Sequence, residues 1–111
     1  MIDWSRIREL RDEIGHDDFQ EVVELFLSEV EETLETLEGV SGDARQLEEK
    51  MHFLKGSALN LGFVAMSGMC QEGETAAAAG NAEAVDVHRV IATFAQSRIA
   101  FLQELPTVLA A

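Results

Sequence analysis

Apolar residues recur along almost the whole chain at intervals of three and four, and short glycine-containing breaks divide that pattern into five segments. The first, about residues 3–14, sets Trp4, Ile7, Leu10 and Ile14 on one face, with Asp3 suited to cap its start and Gly15 to stop it. A longer segment, about 17–38, begins at Asp17 or Asp18 and repeats Phe19, Val23, Phe26, Val30, Leu34 and Leu37 as one buried stripe. Its other side carries Glu21, Glu24, Glu29, Glu31, Glu32, Glu35 and Glu38, spread along the axis as a solvated face rather than gathered into a cation site. The turn Gly39-Val40-Ser41-Gly42-Asp43 leads into a third helix, about 43–61, with Leu47, Met51, Leu54, Ala58 and Leu61 inward and Gly62 closing it. A fourth, about 64–79, is built from small residues plus Met66, Met69 and Cys70, and ends at Gly80-Asn81. The fifth, about 82–105, offers Val87, Ile91, Phe94, Phe101, Leu102 and Leu105 and stops before Pro106. Arg98 interrupts that stripe and is expected to reach for solvent at the bundle end.

Four long helices joined by short turns predict an all-α fold, an antiparallel up-down four-helix bundle with an additional short N-terminal helix over one end. At 111 residues the chain is expected to be a single domain, 1–111, with no room for a second catalytic module. Composition agrees with helix: Ala, Leu, Glu and Met dominate, and Tyr is absent.

Charge narrows the partners. The formal net charge of -13 leaves no basic stripe to neutralise nucleic-acid phosphates, and it disfavours anionic membrane surfaces. No apolar run approaches the roughly 20 residues needed to span a bilayer. The opening MIDWSRIREL lacks the basic and apolar regions of a signal peptide. Cys70 is the one cysteine and cannot form an internal disulfide, so a cytoplasmic location is the expectation.

Candidate chemistry is sparse. The chain has no phosphate-binding glycine loop, no HExxH and no cysteine pair for zinc. His16, His52 and His88 fall in different segments, each without a His or Cys partner at helical ligand spacing. Glu49-x-x-His52 has the spacing of a bundle metal site but points outward. One stretch differs, from Met51 to Gly62. At 100° per residue, with the core stripe as zero, His52 lies at about 140° and Gly56 at about 180°, with Lys55 and Leu59 on the same side. An exposed histidine therefore has a lysine three residues on and a glycine four residues on, both neighbours on the helix surface. A glycine inside a helix costs about 1 kcal/mol relative to alanine. Beside His52 it clears room for a group on the imidazole or for a docking partner, the rival explanation being a tight helix–helix contact. Ser57 falls on another flank, suited to small-residue packing.

His52-x-Leu54-Lys55-Gly56-Ser57-Ala58-x-x-Leu61-Gly62 resembles the signature of histidine phosphotransfer (HPt) domains, H-x-[LI]-[KR]-G-[SA]-[SA], which sits mid-helix in a four-helix bundle. A dimerising histidine-kinase helix would instead carry an acidic residue after the histidine and soon a proline, and neither follows His52. The resemblance implies that His52 accepts a phosphoryl group, Lys55 steadies it and Gly56 leaves it accessible. It implies a carrier without its own ATP site. The donor would be a receiver-domain phosphoaspartate, and the group would pass to another receiver aspartate in a two-component phosphorelay. Partners would then be receiver domains of response regulators and hybrid histidine kinases; the receiver supplies Mg²⁺, and this chain holds no cofactor or metal. Apolar residues suited to receiver docking are Leu59, Phe63, Val22 and Leu25. A monomer is the simplest expectation for a bundle whose histidine must stay accessible.

Glu48 or Glu49, four and three residues before His52, could fix its tautomer, the bland alternative being two solvated glutamates. Some members of the family place a Gln on the fourth helix that reaches the imidazole or phosphoryl group. Counting forward, that position here is Glu74, whose charge would repel a phosphoryl group, so no role is carried over to it. Met51 stands where a small residue commonly precedes the family histidine. Two other functions fit the same fold: a docking module that is never phosphorylated, which the intact His52 argues against, and a substrate domain phosphorylated directly by a separate kinase.

Overall fold

The computed structural model describes residues 2–110. Asp3 opens the first helix, α1 (Trp4–Ile14), its carboxylate accepting from the backbone N–H of Ser5 at 3.1 Å and of Arg6 at 3.3 Å. Gly15, at φ +95°, breaks the chain between α1 and α2 (His16–Leu37). A 3-10 turn at Glu38–Val40 and a cap by Asp43, which accepts from the Gln46 N–H at 3.1 Å, start α3 (Ala44–Asn60). α4 (Val64–Ala78) and α5 (Val87–Ala110) follow, separated by a 3-10 turn at Ala82–Ala84.

The cross-helix contacts give the topology. His52 meets Glu74 and Lys55 meets Gln71, so α3 and α4 run antiparallel. Arg98 pairs with Glu31 at 3.1 Å and His88 with Glu38 at 3.5 Å, so α5 runs antiparallel to α2. The result is the expected all-helical up-down bundle with α1 across one end. Among the described residues no helix is long and apolar enough to cross a membrane.

Most of the core follows the periodicity. Leu47, Met51, Leu54, Ala58 and Leu61 are all fully buried. On α2, however, Leu27 is buried and Phe26 only half-buried. α5 departs more. It starts at Val87 rather than near residue 82, because Asp86 caps it, accepting the Arg89 N–H at 3.0 Å. Its buried stripe is Val87, Val90, Phe94, Ser97 and Phe101, which leaves Leu102 exposed. The helix also continues through Pro106 instead of stopping before it. Proline removes one backbone donor, but Leu105 and Leu109 on either side pack onto the core and carry the helix on.

The α3–α4 turn is held by the N-terminus. Gly62 adopts φ +69°, its carbonyl accepts the Asp3 N–H at 2.7 Å, and Ile2 pairs with Phe63 in an isolated bridge. Phe63 consequently turns inward. It is fully buried and packs edge-on against Phe101 at 5.4 Å, while Trp4 stacks on Phe101 at 5.6 Å. The expectation that Phe63 lies on a docking surface is corrected by that burial. Arg6 adds a hydrogen bond to Asn60 at 3.2 Å, a further tie from α1 to the end of α3.

A Cβ on Gly62 would sit 2.5 Å from the Asp3 carbonyl oxygen, in a backbone conformation that already disfavours side chains. Gly62→Ala is expected to lower stability by about 2 kcal/mol, read as a reduced urea midpoint with an unchanged slope. An unchanged midpoint would remove the N-terminal clasp from the account of the fold.

Candidate functional site

Burial of one stripe of α3 forces the opposite stripe outward, and His52 lies on it with its side chain 70% exposed. One turn on, Gly56 is exposed, and a Cβ built there meets no atom within 4 Å. That excludes a tight helix contact as the reason for this glycine and leaves a bare patch of helix beside the imidazole. Leu59, the next residue along the face, is 56% exposed. Ser57 is buried, as its flank position suggested.

α4 approaches α3 closely because its facing residues are small. Gly73 is buried, and a Cβ there would lie 3.0 Å from the sulfur of Met51. The large residue before His52 is therefore accommodated by a missing side chain on the neighbouring helix. The next residue after Gly73 is Glu74, and the close approach brings its carboxylate onto the site. Oε2 lies 2.8 Å from His52 Nδ1, and Oε1 accepts from Lys55 Nζ at 2.6 Å. Lys55 Nζ also donates to Gln71 Oε1 at 3.0 Å. Gln71 is turned that way because its amide nitrogen donates to Thr75 Oγ1 at 3.1 Å, one turn along α4.

Lys55 and Glu74 are largely covered, with side chains 22% and 18% exposed. The hydrogen bond from Lys55, and then that from His52, holds the Glu74 carboxyl below the usual carboxylate range. It stays an anion throughout the neutral range and can only accept. In a neutral ring Nδ1 is then the nitrogen that donates to it, and the Nε2 lone pair is directed away from Glu74. The arrangement is an exposed imidazole oriented by a carboxylate that also binds the Lys55 ammonium. Nothing here activates a leaving group or excludes water.

Of the residues singled out in the sequence, His52, Lys55, Gly56 and Leu59 share one face. Leu25 is exposed and Val22 half-buried on α2, and Phe63 belongs to the core. Glu49 pairs with Arg45 at 3.9 Å, and neither it nor Glu48 hydrogen-bonds the imidazole. With Arg45 they line the open depression beside His52 and Glu74. Glu74 and Gln71 are the residues the sequence reading missed. Position 74 was legible as the one opposite His52, but its charge argued against a role while Lys55 was not known to reach the same carboxylate.

Other reactive groups offer no second centre. Burial pushes the Cys70 thiol up to about 12, so it stays protonated. His16 and His88 are exposed. Among the described residues no group of three or more His, Cys, Asp or Glu side chains is arranged to hold a metal ion.

The tautomer is directly measurable. In long-range ¹⁵N–¹H spectra at neutral pH, His52 is expected to show a protonated Nδ1 and a bare Nε2. Glu74→Ala should move it towards the Nε2–H form that free imidazole prefers; an unchanged ring in the variant would show that Glu74 does not set the tautomer.

Three comparisons bear on the family and the fold. The family model for the Hpt domain matches residues 21–111. The phosphorelay intermediate protein YPD1 of Candida albicans is 35% identical over 77 residues, covering 64% of this chain and 41% of that protein. This chain thus spans less than half the length of that curated relative. The crystal structure of histidine-containing phosphotransfer protein B from Pseudomonas aeruginosa PAO1 superposes with a TM-score of 0.81 at 31% identity, over 93% of this chain and 92% of that one. With the family model covering most of its length, an exposed histidine in the family's helix and the same bundle fold, this chain belongs to the Hpt domain family.

Proposed function

We propose that the protein is a phosphorelay intermediate that carries a phosphoryl group on Nε2 of His52. The observation that carries this reading is the imidazole itself, exposed on a helix face with Nδ1 engaged by Glu74 and Nε2 free. The Nε2 lone pair attacks the phosphorus of a receiver's aspartyl phosphate, and the aspartate leaves as its carboxylate. In the reverse sense a second receiver aspartate takes the group back. Transfer of this kind depends on alignment and charge neutralisation more than on covalent help from side chains. Receiver domains of response regulators and hybrid histidine kinases are the partners, and they supply the Mg²⁺.

Lys55 is the cation within reach of the incoming group. At about 4 Å a unit charge contributes roughly 1 kcal/mol in water and several at a partly desolvated interface. Gly56 lets the receiver's loops approach the ring. Leu59 and Leu25 provide exposed apolar area for a transient contact, with Val22 at its margin. Phe63, buried against Phe94 and Phe101, forms no part of it. The chain lacks the glycine loops that bind ATP phosphates, which supports a carrier over a kinase, and a monomer acting in the cytoplasm would leave His52 accessible to its partners.

The test is transfer of label from a phosphorylated receiver, with Mg²⁺, to wild type and to His52→Gln. Acid-labile, alkali-stable label on the wild type alone is expected. Should no receiver in a broad panel label the folded wild type while a kinase core with ATP does, the protein is a direct kinase substrate instead.

Gly56→Ala separates access from folding. The substitution meets open space and is expected to raise stability by about 1 kcal/mol. The same variant should lose roughly tenfold or more in transfer rate by holding the receiver off the ring. Full transfer activity in a stabilised Gly56→Ala protein would refute the access role.

A further inference from the structure

A carboxylate touching the phosphoacceptor looks at first like a defect. Glu74 puts a negative charge against the ring that is to carry a dianionic group, yet both of its oxygens are engaged, Oε1 by Lys55 and Oε2 by His52. The bond changes show what such a partner does. Before transfer the ring is neutral, with its proton on Nδ1. When Nε2 forms the N–P bond and the receiver aspartate departs, the ring retains that proton and becomes a cation, with Glu74 directly against the N–H. When the N–P bond later breaks, its electron pair returns to Nε2. A ring that still holds the Nδ1 proton leaves as neutral imidazole. A ring that has lost it must leave as imidazolate, a far poorer leaving group.

We propose that Glu74 is a positioning residue that keeps the Nδ1 proton on phosphorylated His52, so that the carrier remains a ready donor as pH rises instead of a store of phosphoryl groups. This deepens the reading of His52 as the phosphoacceptor and rests on it. Lys55 makes the arrangement tolerable, because its ammonium, 2.6 Å from Oε1, offsets the charge of the carboxylate. A neutral amide at position 74 could accept the same hydrogen bond without the charge, and would hold the ring proton less firmly.

The other charges around the imidazole are few. From α3 itself, Arg45, Glu48 and Glu49 line the adjoining depression and Lys55 lies three residues on. From α4 come Glu74 and the neutral Gln71, which touches Lys55. Arg45 is 90% exposed and already paired with Glu49. The phosphoryl group's own second ionisation, near pH 6, is common to every variant and cancels in a comparison between them.

The experiment charges the full-length wild type, Glu74→Gln and Glu74→Ala with phosphoramidate, a small-molecule donor that needs no receiver. Loss of the phosphoryl group is then followed across a pH series in buffer alone and with a receiver plus Mg²⁺. Wild type is expected to keep its fast, proton-assisted rate to a pH about one unit higher than Glu74→Gln. On the alkaline side the Gln variant should retain its label roughly tenfold longer. Glu74→Ala should resemble Gln in this respect. Superimposable pH profiles, with only the melting temperature changed, would overturn the proposal and leave Glu74 as a structural ion pair. The buffer arm reads Glu74 without any receiver. If the profiles differ there but no receiver discharges the wild type, it is the relay reading that fails and the role of Glu74 that stands.

Discussion

The contact between α3 and α4 is what the rest of the site depends on. Met51 is fully buried and its sulfur seats against the bare Cα of Gly73, with Ala58, Cys70 and Ala77 filling the neighbouring positions. Burying a methionine side chain contributes about 1.5–3 kcal/mol. The Lys55–Glu74 pair above it is largely covered, and there the cost of desolvating two charges offsets much of their attraction. The apolar contact therefore sets the distance between the two helices, and the His52–Glu74–Lys55 arrangement is a consequence of that distance. A polar triad of this kind does not have to stabilise the fold in order to be well ordered; it needs only to sit on two helices that cannot move apart.

The ends of α3 are secured in different ways. Asp43 caps the start, and the finish is clasped by the N-terminal segment through Asp3 and Gly62, with Arg6 bound to Asn60. Behind that clasp Trp4, Phe101 and Phe63 form a continuous aromatic stack. The short first helix thus has a purpose beyond covering apolar surface: it fixes the turn that sets the register of α4 against α3. That register decides which α4 residue faces His52.

Electrostatics around the site are dominated by negative charge. The protein is strongly acidic overall, with a formal net charge of -13, and a phosphoryl group adds nearly two more negative charges. One lysine stands beside the acceptor, and it is shared with Glu74 and Gln71. The bare helix surface at Gly56 costs helix propensity rather than core packing.

Much of this protein was determined by its sequence. Three- and four-residue spacing located four of the five helices closely and named most of the inward face of α3, because periodic burial is a local property of a helix. The motif around His52, Lys55 and Gly56 was legible for the same reason: residues three and four apart on one helix must be neighbours. Three things were decided only in the tertiary structure. Phe63 turned out to be core because Gly62 bends the chain back under Asp3, a contact between residues some 60 positions apart. α5 passed through Pro106 because Leu105 and Leu109 found packing partners that outweigh a missing hydrogen bond. Glu74 became part of the site because a lysine from the facing helix neutralises it. In each case the deciding partner lies on another element, and the chemistry of the residue alone pointed the other way.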